Sequence, residues 1–261
     1  MKATAGQTAL SHLTAADLRL WLRADKGVHM ENGKVTAWDD QSGSGANAVQ
    51  PVGEAQPTVA ESVLNGQPAL RFDGKKTFFH ISTQVVTSQQ FTVFAVVSDR
   101  STDNQHREIF SNWNKAGNIF TAVFLGATGP ASARLTDDFS PVGVLAHREQ
   151  PFILTGVSAP DSVAVYQNRT EIAKKVTPMA TRKLDGPYVI GQQGNINGEF
   201  WNGDILEIRV YNRGLNDAER EQVWDELQAR YGIAAKPKPV NEALASLCHV
   251  LFNTNEFVYV D

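Results

Sequence analysis

The feature that most constrains this chain is a long series of short apolar runs separated by turn residues. From Leu18 to Asn212 the runs LRLWLRA, PALRFDG, FTVFAVVSD, EIFSNW, NIFTAVFLG, PFILTGVSA, SVAVYQN, GPYVIGQQ and GDILEIRVYN succeed one another. Asp73-Gly74, Gly129-Pro130 and Asp185-Gly186 punctuate the series. Each run suits one strand, and many short strands at this spacing predict a sandwich or barrel. No long helical pattern is interleaved, which argues against a parallel α/β sheet. In LRLWLRA, Leu18, Leu20 and Leu22 alternate with Arg19, Trp21 and Arg23, the pattern of a half-buried strand. FTVFAVVSD (91–99) is apolar on both faces and reads as a central strand covered on both sides.

One helix comes after the last strand. Asn216 is a good N-cap with Glu219 three residues on, and Asp217, Glu219 and Glu221 fall in the first turns, where the helix dipole favours acids. Val223, Leu227 and Tyr231 form an apolar stripe, and Gly232 is the expected C-cap. AAKPKPV (234–240) reads as a linker. The tail, residues 241–261, carries Leu244, Leu247 and Leu251 at helical spacing, then the extended FVYV, and such an apolar segment must pack on something.

Composition narrows the function classes. Hydrophobic residues make up 42% of 261, enough for a large core. The net charge of −4 and the lack of a Lys/Arg block argue against nucleic acid as partner. The single cysteine, Cys248, excludes an internal disulfide and any Cys-x-x-Cys metal site. No apolar run reaches the ~20 residues of a membrane span, and the first residues lack the apolar core of a signal peptide.

Several segments together resemble the laminin-G-like branch of the concanavalin A-like lectin/glucanase superfamily. They are LRLWLRAD (18–25), VTAWDDQSGSGANAVQ (35–50), LNGQPALRFDG (64–74) and GDILEIRVYNRGLNDAEREQV (203–223). The resemblance covers about residues 10–233. It implies an all-β jelly-roll sandwich of two curved antiparallel sheets, here with a C-terminal helix and an appended tail. It also implies binding of a glycan or glycosylated surface outside the cytoplasm. Separately, LCHVLFNTNEFVYVD resembles the C-terminal end of a planctomycete-type domain of unknown function, which implies a module carried by larger, exported proteins.

The strand NGDILE is the candidate for catalysis. Glucanases of this superfamily carry E-x-D-x-x-E on one strand, whereas this chain has Asn202-x-Asp204-x-x-Glu207, and an amide cannot act as the nucleophile. Plain alternation would also put Asn202, Asp204, Leu206, Ile208 and Val210 on one face and Glu207, Arg209 and Tyr211 on the other, unless a bulge intervenes. A non-catalytic module is therefore expected. No Gly-x-Ser-x-Gly or paired-histidine metal motif occurs, and the Gly-rich stretch 191–203 reads as a hairpin loop. Asp39 and Asp40, with Gln41 and Ser42, form an oxygen-rich loop suited to calcium, as do Asp137 and Asp138. A sugar site needs an aromatic plane flanked by amide or guanidinium donors. Two clusters qualify: Trp113 with Asn112, Asn114 and Arg107, and Trp201 with Asn197. Trp21, Trp38 and Trp224 read as packing residues. The second function class is an assembly module, the sandwich and its tail docking on another domain or subunit.

Overall fold

The computed structural model describes residues 16–114, 122–129, 131–136, 142–176, 181–194 and 196–233. The linker 234–240, the tail 241–261 and the Asp137–Asp138 pair lie outside these residues. The first strands are β1 (Leu18–Arg23), β2 (Val28–Glu31), β3 (Lys34–Trp38), β4 (Ala48–Val49), β5 (Thr58–Leu64) and β6 (Gln67–Asp73). The middle of the chain forms β7 (Phe79–Ile81), β8 (Phe91–Asp99), β9 (His106–Ser111), β10 (Phe124–Thr128), β11 (Ser132–Leu135) and β12 (Val142–Val144). Then come β13 (Phe152–Ser158), β14 (Ser162–Gln167), β15 (Thr170–Val176), β16 (Tyr188–Ile190) and β17 (Asn202–Tyr211), and the helix α1 (Asp217–Tyr231).

The strands form two antiparallel sheets in a sandwich. One has eight strands in the order β15-β14-β13-β8-β17-β6-β5, with β1 also paired to β17. The other has nine, in the order β12-β11-β10-β9-β16-β7-β4-β3-β2. The main core lies between them. Leu20, Leu22, Phe72, Val93, Val97, Ile205 and Ile208 face it from the eight-stranded sheet, and Trp38, Phe79, Ile81, Phe110, Leu125 and Tyr188 face it from the other. As the apolar run predicts, every residue of β8 is buried. The reason is its position between β13 and β17, with a layer on each face.

α1 is the third layer and covers the outer face of the eight-stranded sheet. Val223, Trp224, Leu227 and Tyr231 pack with Phe94, Val96, Ile153 and Leu206 in a second core. Its start is a complete capping box: the Asn216 side chain accepts from the Glu219 N–H (3.0 Å), and the Glu219 carboxylate accepts from the Asn216 N–H (2.9 Å). Gly232 ends it in the left-handed region, φ +64°. Among the described residues no helix is long and apolar enough to cross a membrane.

β17 departs from plain alternation. Its register with β8 shifts between Ile205 and Glu207, a bulge at Leu206, whose carbonyl accepts from the Ala24 N–H (2.8 Å). Ile205, Ile208 and Val210 face the main core, while Leu206 turns outward into the helix layer. Asp204 and Glu207 consequently lie on the same outer face, not on opposite faces. The stretch 191–201 is not a hairpin loop, because β16 and β17 belong to different sheets and it crosses between them.

Candidate functional site

The carboxylates that β17 brings to one face are both locked. Asp204 takes a two-pronged contact from Arg71 (2.7 and 2.9 Å). Glu207 accepts from Trp21 Nε1 (2.7 Å), Arg209 Nε (2.5 Å) and Tyr231 Oη (2.8 Å). Arg209 also reaches Glu226 on α1 (2.7 Å) and lies over the Trp21 ring at 5.0 Å. Burial alone would lower the Arg209 guanidinium, but Glu207, Tyr211 and Glu226 together outweigh it and hold its pKa raised. Burial, reinforced by Glu207, pushes the Tyr231 phenol up. Both carboxylates are about 1% exposed and serve as anchors for neighbouring arginines and the helix.

The two tryptophans expected to stack on sugar do not present a face for it. Trp201 is 0% exposed and sits in the main core, because the crossing chain turns its side chain between the sheets. Trp113 is 8% exposed and packs with Ala122, Phe124 and Ile196. Asn112 is a backbone clasp: its Nδ2 donates to the Lys183 carbonyl (3.0 Å), and its Oδ1 accepts from the Val123 N–H (2.7 Å). Arg107 lies at the other end of β9 and is buried among Asp99 (2.9 Å), Asp103 (3.1 Å) and the carbonyls of Gln105 (2.7 Å) and Gly129 (3.0 Å). Asn114 is half-buried and Asn197 is exposed. The packing of Ile196 on Trp113 brings the 191–201 crossing beside Trp113, Asn112 and Asn114, but Arg107 and Trp201 serve elsewhere.

The Asp39–Asp40 loop is likewise self-contained. Asp40 accepts from the N–H groups of Trp21, Ser42 and Ala46 and from the hydroxyls of Ser42 and Ser44. Burial alone would raise its pKa, but the bonds from Ser42, Trp21 and Ser44 outweigh it and hold the carboxyl below its ordinary value. Five donor hydrogens thus converge on the Asp40 carboxylate. Asp39 pairs with His29 (2.7 Å). Among the described residues no group of three or more His, Cys, Asp or Glu side chains is placed to hold a metal ion.

The outer face of the nine-stranded sheet carries a different constellation. Phe78 and His80 bracket the buried Phe79, so alternation turns both outward, and their rings meet edge-on at 4.8 Å. Phe200, in the crossing, adds a third ring 6.3 Å from Phe78. Phe78 and Phe200 are half-buried and His80 is exposed, so the three rings form a partly open aromatic platform. Partial burial holds the His80 imidazole below its ordinary value.

Phe200 also borders a cleft of about 160 Å³, lined by Asp103, Gln105, His106, Glu199 and Asn202 among others. Local chemistry shapes this cleft. Asp73 accepts from the N–H groups of Lys75, Lys76 and Thr77, which closes the β6–β7 turn. Gly74 in that turn has φ +69°, and a Cβ there would stand 2.6 Å from the Asn202 Cβ, so glycine lets the turn close against Asn202. Arg107 secures the 99–105 segment from beneath, and Glu199 is drawn to Arg134 (3.5 Å), which also holds Glu108 (3.2 Å) and lies 4.7 Å over Phe124. Arg107 therefore belongs to the support of the cleft. Sequence reasoning passed over Phe78, His80 and Phe200, although the outward alternation in TFFHI was a usable signal for the first two.

No protein-family model and no curated protein sequence matches this chain. Solved structures with a similar fold exist. Domain 4 of AbnA, a GH43 extracellular arabinanase from Geobacillus stearothermophilus solved with arabinotriose, has a TM-score of 0.58 at 16% identity, over 80% of this chain and 97% of that one. The receptor binding domain of botulinum neurotoxin D has a TM-score of 0.57 at 15% identity, over 83% of this chain and 54% of that one. The binding domain of Paraclostridial Mosquitocidal Protein 1 has a TM-score of 0.56 at 15% identity, over 82% and 53%. The match spans about half of each toxin chain. At these identities the likeness is one of fold.

Proposed function

We propose that this chain is a non-catalytic carbohydrate-binding module, of the laminin-G-like kind its sequence resembles, working outside the cytoplasm as part of a larger protein. The observation that carries the reading is the Phe78–His80–Phe200 platform beside a polar cleft. A sugar ring offers an apolar C–H face and a rim of hydroxyls, and such a platform meets the first while carboxylate, amide and imidazole groups meet the second. Asp103, Gln105, His106 and Asn202 line the cleft and would bond the hydroxyls. The fold neighbours support the reading, because one of them was solved with arabinotriose and two are named as binding domains.

The test is a glycan array and then calorimetry on the ligands retained, arabino-oligosaccharides among them, with and without calcium. Retention of at least one glycan, weakened tenfold or more by Phe200→Ala at unchanged melting temperature, is expected. Retention of none, or wild-type affinity in both Phe78→Ala and Phe200→Ala, overturns the reading.

A further inference from the structure

A second concavity, of about 550 Å³, opens at the far end of α1 and is independent of the glycan platform. Its apolar walls are Leu64 at the end of β5, Val144 on β12, Phe152 on β13, Ile172 on β15 and Ile233 just after α1. Side-chain clasps order the frame around it. Gln167 clasps the Ala146 backbone, accepting from its N–H (2.7 Å) and donating to its carbonyl (2.5 Å). The Asn65 side chain donates to the Arg230 carbonyl (2.9 Å) and so secures the end of the helix. β12 presses on β15 so closely that a Cβ on Gly143 would stand 2.5 Å from Ile172. Despite this order, the rim leaves Val144 72% exposed, with Val142 and Val176 also open nearby.

We propose that the groove is the docking site of this chain's own segment 241–252, NEALASLCHVLF. The αL turn at Gly232 sends the chain out through Ile233, which is itself a wall of the groove. The seven residues 234–240 hold two prolines and reach at most roughly 25 Å, so the segment they tether stays within range of the groove. Within that segment Leu244, Leu247 and Leu251 recur at helical spacing, so a helix there would carry an apolar stripe that water disfavours. Tethering raises the effective concentration of the segment at the groove to the millimolar range, so modest apolar burial suffices to hold it. Docking would cover Val144 and extend the core around the seam where the two sheets meet.

Cys248 is the sole cysteine and lies within the segment, so it reports docking directly. In the full chain, Val144→Cys and Thr170→Cys place a thiol on each rim, and Val49→Cys, on the nine-stranded face, serves as control. Mild oxidation of dilute protein should give an intrachain disulfide in at least one rim variant, at least tenfold faster than in the control. A polarity-sensitive dye on Cys248 should report an apolar environment that Ile233→Asp abolishes while circular dichroism stays native. Equal rates in rim and control variants, predominance of a chain-to-chain disulfide, or a dye that is solvent-exposed from the start each overturn the proposal.

Discussion

The outer faces of the two sheets use the same chemistry to opposite ends. On the eight-stranded sheet, α1 covers the face, and Glu207 joins Trp21, Arg209 and Tyr231 into a buried bracket between strand and helix. On the nine-stranded sheet, Arg107 and Arg134 are buried against carboxylates just as firmly, yet there they prop up a rim where Phe78, His80 and Phe200 stay partly open. A buried arginine–carboxylate pair is therefore no marker of function in this molecule. Partly exposed aromatic surface distinguishes the two faces, because the desolvated groups are already committed to each other.

Breaking the covered face should have the largest effect. Glu207→Ala leaves the buried Arg209 with Glu226 alone and takes the acceptor from Trp21 and Tyr231, and is expected to cost roughly 3–5 kcal/mol in urea unfolding, with glycan affinity of the folded fraction unchanged. Trp201→Ala is expected to cost about 3–5 kcal/mol of stability as a core truncation. If it instead lowered affinity at wild-type stability, the burial described for Trp201 would be wrong. On the open face the signs reverse: Phe200→Ala should lose about 1.4 kcal/mol or more of binding, a tenfold change, with a smaller loss of stability. Asn216→Ala removes one arm of the capping box and should cost about 1 kcal/mol without touching binding.

The smallest effect is expected from pH. The Asp40 carboxyl is depressed in the folded chain, so its contribution to stability is complete above its ordinary value of 3.8 and is lost as pH falls through the folded value. The stability gap between wild type and Asp40→Asn, measured by denaturant titration, should therefore narrow below pH 3.8 and stay constant above it.

The all-β class, the fully covered β8 and both ends of α1 were legible in the chain because each depends on short-range pattern. Alternation over a few residues sets a strand, and Asn216, Glu219 and Gly232 satisfy helix ends that lie beside them. The Trp201 environment was not legible. A tryptophan among Asn and Gly residues looks like a binding loop until the opposite sheet is in place and encloses it. Nor could alternation place Glu207, because the bulge at Leu206 exists only against its partner strand β8 and beside Ala24.

The sequence by itself thus determined the strand and helix segments and most of the apolar residues they bury, since hydrophobic periodicity and caps act within a few residues. Only the tertiary structure decided which polar and aromatic groups remain accessible. The platform joins Phe78 and His80 to Phe200, more than a hundred residues away, and Arg107 reaches carboxylates and carbonyls at the end of β8 and in two loops. Accessibility depends on what the rest of the chain places overhead, and no local pattern carries that information.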